Sequence, residues 1–142
     1  MALTQGLTTT FKQNCLSGLE NFAVGTPYTY KIALYSSTAN LSNYTTAYTV
    51  DGEITGTGYT AGGKALTIIP PSYSNPDYTA FVSFLPVIWN PASFTTRGAL
   101  IYNSTTGASV CVLNFGSNKT ATNTFTITFP ADTTSDAVIR FS

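Results

Sequence analysis

The chain is 142 residues long, carries six basic and six acidic side chains and no histidine, and has a net charge of zero. Its 8% of charged residues falls far below the usual ~25%, and Thr, Ser, Asn and Tyr supply the polarity instead. This balance excludes the basic stripe that nucleic acid requires, and the missing histidine excludes a Ser-His-Asp triad and a zinc site of the usual ligand set.

At this length the expectation is one domain that buries roughly two-thirds of its unfolded surface. It divides into an N-terminal arm over residues 1–10, a helix over 8–22 and a β-sandwich over 28–141. The first ten residues hold no basic segment followed by an apolar one, so no secretory signal is read there. No run approaches the ~20 apolar residues that span a bilayer. A soluble product made in the cytoplasm, with no membrane partner, is expected.

Phe11, Cys15, Leu19 and Phe22 recur at spacings of four, four and three, which predicts one apolar helix face. Thr8, Thr9 or Thr10 caps its start through a hydroxyl that accepts from first-turn amides. Gly18 weakens the last turn, and Gly25 with Thr26-Pro27 ends any continuation. Residues 28–35 alternate, with Tyr28, Tyr30, Ile32 and Leu34 on one side and Thr29, Lys31, Ala33 and Tyr35 on the other, predicting a strand. Residues 36–44 form a polar connection with Leu41 as its apolar anchor. Residues 47–54 read as a short edge strand or extended segment, with Asp51-Gly52 offering a turn. After a glycine-rich loop over 56–63, residues 64–69 read as a strand stopped by Pro70-Pro71, which lack amide donors. A second polar loop follows over 72–78.

Residues 79–89 read as a strand pair or a bent strand, interrupted at Pro86. The strongest pattern lies over 94–129, where turn-rich segments separate strands at 98–102, 110–115 and 124–129. The third alternates Phe125, Ile127 and Phe129 with Thr124, Thr126 and Thr128; the second is near-continuously apolar, as a strand covered on both faces is. A turn over 132–136 and a closing strand over 137–141 end the chain. Seven or eight short strands at spacings of roughly ten residues predict a mainly β fold. The expected architecture is an antiparallel β-sandwich or jelly-roll-like barrel with one short N-terminal helix.

Gly58 to Lys64 matches the glycine, four-residue gap, Gly-Lys part of a phosphate-binding loop. Ala65 stands where a magnesium-holding hydroxyl belongs, and a strand-like segment follows where a helix is needed. The loop is read as structural, its glycines serving positive φ or a bulge. Asp51 with Glu53, and more loosely Asp132 with Asp136, are the neighbouring carboxylates. Paired acids carry glycoside hydrolysis, but these fall in loop-like sequence and read as solvated turn charges. Cys15, in the helix, and Cys111, in an apolar strand, read as buried free thiols. Asn-X-Ser/Thr triplets at Asn40, Asn43, Asn103 and Asn118 arise by chance in so Ser- and Thr-rich a chain. No catalytic residue, cofactor or metal is expected.

Tyr44, Tyr48, Tyr59, Tyr73 and Tyr78 fall in predicted loops. They suit either a carbohydrate-binding surface or buried protein contacts, in which tyrosine is enriched. Charge depletion favours the contacts. The candidate interface is therefore Tyr44, Tyr48, Tyr73 and Tyr78, with Arg97 added as the one charge between Asp77 and Lys119. Arg97 is expected to pair with a carboxylate at a sheet end or to reach a neighbouring subunit.

The run Tyr30-Lys31-Ile32-Ala33-Leu34-Tyr35, then Thr45-Thr46-Ala47-Tyr48 and the stretch from Glu53 to Gly63, form one half of an ordered set. Arg97 to Asn103, Val112 to Gly116 and Thr124 to Pro130 form the other. This order, over most of residues 11–141, resembles small virion structural proteins of tailed bacteriophages that decorate or cement the capsid. The resemblance implies a non-enzymatic β-fold subunit bound in many copies to the capsid exterior. Its partners would be the major capsid protein and copies of itself, as a homo-oligomer. A tail or fibre component, or a virion-exposed carbohydrate-binding module, are the alternatives. Residues 1–10, 40–48 and 72–78 are the expected contact surfaces, and removing the arm is expected to leave the domain folded.

Overall fold

Alternate residues of the central strands face opposite ways, and both directions are buried. The computed structural model describes residues 3–23 and 25–141. Its elements are β1 (Gly6–Leu7), α1 (Thr9–Leu16), β2 (Tyr30–Tyr35), β3 (Lys64–Ala65), β4 (Ile68–Ser74), β5 (Thr79–Phe84), β6 (Val87–Trp89), β7 (Phe94–Asn103), β8 (Ser109–Ala121), β9 (Phe125–Ile127) and β10 (Ile139–Phe141). A five-stranded sheet has the order β1-β8-β7-β2-β3, a three-stranded sheet the order β10-β5-β4, and β6 pairs with β9. All these ladders are antiparallel. The chain is mainly β with one short helix, in a sandwich-like arrangement.

Register explains the two-sided burial. Ile32, Ile101 and Cys111 form one cross-strand row, and Ala33, Leu100 and Val112 form the next. The first row joins the main core with Phe11, Val82, Phe84, Trp89, Ile127 and Ile139, so the smaller sheets and α1 cover that face. The second row joins Leu3, Tyr35, Ala39, Leu41 and Tyr102. Residues 36–53 thus cover the other face as an irregular layer. Hydrogen bonds from Ser36 N to Gly52 O, Tyr48 N to Gly107 O and Ser109 N to Thr46 O hold that layer down, at 2.8, 3.0 and 3.0 Å. A buried backbone needs such partners, and here they replace a strand ladder.

Several elements depart from the sequence pattern. The helix expected over 8–22 ends at Leu16. Gly18 takes φ 73°, its N–H reaches Cys15 O at 3.3 Å, and Leu19 N–H reaches Asn14 O at 2.8 Å. That pair of bonds is the glycine-terminated Schellman closure. Gly18 therefore stops the helix, Leu16 is 92% exposed, and the four-residue apolar face is broken. Thr8 is the cap: its Oγ1 accepts from Phe11 N at 3.1 Å, an arrangement worth about 1 kcal/mol.

The N-terminal arm expected over residues 1–10 is part of the fold from residue 3 onward; residues 1 and 2 lie outside the described residues. Leu3 is buried, Thr4 N donates to Leu41 O at 2.9 Å, and β1 lies on β8. Residues 47–54 make bridges, at Ala47 with Ala108 and Glu53 with Tyr35, without becoming a strand. Pro70-Pro71 does not stop a strand either. Both prolines lie inside β4, at the sheet edge, where the register slips between Ile69 and Ser72. An edge strand tolerates the missing donors because one side of its ladder is unpaired. Tyr73 consequently stands in β4 and not in a loop.

Candidate functional site

The glycine-rich loop is a packing device. A Cβ at Gly58 would overlap the Pro91 carbonyl, and one at Gly63 the Ile32 carbonyl. Only a residue without Cβ allows those backbones to meet, and the positive φ of both, 86° and 81°, suits glycine as well. Lys64, the phosphate-loop lysine by pattern, donates to the Ile88 carbonyl and lies 5.8 Å from the Trp89 ring centroid. The strand β3, not a helix, follows the loop.

Glu53 ties this loop to the outer layer. Its Oε1 accepts from Tyr48 OH at 2.6 Å, and its Oε2 accepts from Tyr59 OH at 2.6 Å and Gly62 N at 2.8 Å. Tyr59 OH also accepts from Leu34 N at 2.9 Å, and Tyr102 OH donates to Gly62 O at 2.6 Å. Burial, and then the adjoining Glu53 carboxylate, push the Tyr48 and Tyr59 hydroxyls well above the usual phenol range. They remain protonated donors. Glu53 is therefore a structural hub, and the reading of it as a solvated turn charge is corrected; Asp51 beside it is exposed. Asp136 is an exposed turn acid that accepts from Thr133 Oγ1 at 3.2 Å, whereas Asp132 Oδ1 is buried without a hydrogen-bond partner among the described residues.

The candidate interface residues separate. Tyr44, Tyr73 and Tyr78 are 83%, 71% and 86% exposed. Tyr73 and Tyr78 flank the turn between β4 and β5, while Tyr44 stands on the outer layer over 36–53. Tyr48 is not available: it is half-buried, stacked on Tyr102 at 4.8 Å between centroids, and bonded to Glu53. Its alternation-free surroundings gave no signal of that packing. Arg97 is half-buried, and its Nε donates to the Asn114 amide oxygen at 3.4 Å, a neutral partner in place of the expected carboxylate. The structure thus groups Tyr73 with Tyr78 and places Arg97 on β7, away from that hairpin in the strand order.

A further feature was not read from the pattern. Phe11, Cys15, Phe22, Val82 and Phe141 line an apolar cleft of about 210 Å³ between α1 and the three-stranded sheet, with Glu20 in its wall. Phe22 stacks on Tyr30 at 4.3 Å, and Phe11 lies 6.2 Å from Phe141. Glu20 Oε1 accepts from Tyr30 OH at 2.9 Å and Asn103 Nδ2 at 3.0 Å. The apolar spacing of Phe11, Cys15 and Phe22 was visible, but the acid that follows the helix-ending glycine carried no periodic signal. Cys15 is a free, half-buried thiol pushed up to about 11 by burial and by Glu20; buried Cys111, also free, is pushed up to about 12. Thiols held in that direction are poor nucleophiles.

Among the described residues there is no group of three metal-ligating side chains, and no helix is long and apolar enough to cross a membrane. Comparison with protein-family models, curated proteins and solved structures finds no match.

Proposed function

We propose that the chain is a non-enzymatic virion structural subunit of a tailed bacteriophage, a decoration or cement protein on the capsid exterior. It bridges major capsid subunits and assembles with copies of itself. The observation that carries this reading is the display of Tyr44, Tyr73 and Tyr78, nearly fully exposed, on a charge-poor protein whose framework is buried on both sheet faces. Exposed tyrosines on a rigid support suit association, because two side-chain torsions are all that each contact immobilises. Subunits that bind only the assembled shell stabilise it by mass action, in proportion to how far their concentration exceeds Kd. The resemblance in motif order to small virion proteins supports the same placement.

The test is attachment to purified shells stripped of this protein. Replacing Tyr44, Tyr73 and Tyr78 together by Ser should lower occupancy at least tenfold, since even ~1 kcal/mol per contact sums to that. Undiminished occupancy by the folded triple variant overturns the interface assignment. Deleting the N-terminal residues is the poorer experiment, because residues 3–8 are built into the fold.

A further inference from the structure

We infer that the outer edge of β1 is a docking site for an extended segment of a partner protein, apolar at alternate positions, which joins the five-stranded sheet as a further strand. The inference stands apart from the tyrosine surface and does not depend on which protein supplies the segment. Register carries it. Thr8 N donates to Val110 O at 3.0 Å, and Gly6 lies opposite Val112. In an antiparallel pair, residues bonded to the neighbouring strand alternate with residues whose N–H and C=O point away from it. Gly6 and Thr8 therefore face β8, and the backbone groups of Gln5 and Leu7 face outward. Those groups have no hydrogen-bond partner among the described residues.

Two other stretches of sheet edge are closed to such an addition. Beyond β1, the Asn114 N–H of β8 is held by Gln5 Oε1 at 3.0 Å and the Gly116 N–H by Asn114 Oδ1 at 2.9 Å. β4 carries Pro70-Pro71 at its edge. Prolines and covered backbone groups protect a sheet against a further strand, and β1 has neither.

The space beside β1 decides what enters. A groove of about 420 Å³ lies between β1 with Leu113 of β8 on one side and Thr134, Val138 and Arg140, from β10 and the turn before it, on the other. Leu7, Leu113 and Val138 all pack against the main core, so the groove opens on that face. Directly opposite residues of paired strands put their side chains on the same face. Residues that bond to Gln5 and Leu7 thus turn their side chains toward Leu7, Leu113 and Val138, where apolar ones fit. A second copy paired edge to edge would carry its own Arg140 to the same seam, like charge toward like. A free segment brings no such charge.

The probe is the peptide acetyl-Thr-Val-Thr-Val-Thr-amide, titrated into the isotope-labelled full chain and followed by NMR. Saturable shifts centred on Gln5, Gly6, Leu7 and Val138 are expected, with slowed amide exchange at Gln5 and Leu7, whose N–H groups gain acceptors. N-methylation of both valines removes the donors directed at β1 and should weaken binding at least tenfold. Serine in place of both valines should weaken it severalfold, through the lost groove contacts. No saturable shift at β1, unslowed exchange at both amides, or equal binding of the N-methylated or the serine peptide overturns the inference. Concentration-dependent shifts at β1 without peptide would show a second copy seated there, and overturn it as well.

Discussion

Tyr78 holds a left-handed backbone, φ 53°, while its side chain is 86% exposed. For a bulky non-glycine residue that conformation costs about 1–2 kcal/mol, and the side chain recovers little of it within the fold. The conformation falls where the β4–β5 turn closes, with Tyr78 N donating to Asn75 O at 3.2 Å. Tyr78→Gly should therefore raise the urea midpoint, by up to about 1 kcal/mol after glycine's greater chain entropy is counted, while lowering shell occupancy. A lowered midpoint would show that the tyrosine packs within its own chain. Glu53 is the opposite case, a polar residue whose worth lies inside the fold. Glu53→Ala leaves Gly62 N–H and two tyrosine hydroxyls without an acceptor, and should cost about 3 kcal/mol in urea unfolding. Glu53→Gln should cost roughly half that, since its amide oxygen can serve Tyr59 and Gly62 while the Tyr48 hydroxyl turns to accept.

At the scale of elements, β1 closes one edge of the five-stranded sheet, and Leu3 ahead of it lies in the outer core. Deleting residues 1–7 should lower stability by about 2–4 kcal/mol, the loss of one buried leucine and of an edge pairing, read as a fall in urea midpoint. An unchanged midpoint would mean that the segment is a detachable arm. The strongly patterned strands were legible but not to their ends: β2 begins at Tyr30 and not Tyr28, β9 stops at Ile127 and not Phe129, and β7 and β8 run beyond the apolar blocks at 98–102 and 110–115 that announced them. The helix was legible at its start, through Thr8, and overextended at its end, because Gly18 acts as a stop and not as a weak interior residue. β4 was hidden by Pro70-Pro71, which an edge strand accepts and a central one does not. The layer over 36–53 was legible only at Leu41, read as its apolar anchor; buried Ala39 and half-buried Tyr48 follow an irregular path that has no period to detect. Of the interface residues, exposure at Tyr44 and Tyr78 followed from loop-rich sequence and exposure at Tyr73 comes from an edge strand that reads as a loop, whereas Tyr48 was captured by a glutamate that looked like a turn charge.

The whole molecule is a sheet clamped between the smaller sheets with α1 on one face and an irregular layer on the other, tied by tyrosine hydroxyls. Its response to pH should follow. With no histidine present, no side chain has an ordinary pKa between about pH 5 and 8. Burial pushes Cys15 up to about 11 and Cys111 up to about 12, and raises the Tyr30, Tyr35, Tyr48, Tyr59 and Tyr102 hydroxyls. Groups raised in the folded state contribute stability that is complete below their unfolded values, about 8.5 for Cys and 10 for Tyr. That stability drains away as pH climbs toward the folded values. The urea midpoint should hold level from neutrality to about pH 8.5 and fall steeply above pH 9 to 10; a level midpoint to pH 11 would contradict the hydroxyl-tied core. The placement of the protein on the capsid exterior is tested most directly by its copy number and position in intact particles, read by quantitative mass spectrometry with cryo-electron microscopy of the same preparation. Hundreds of copies in density on the outer shell are predicted. A few tens or fewer, confined to the tail, or none at all, would contradict it.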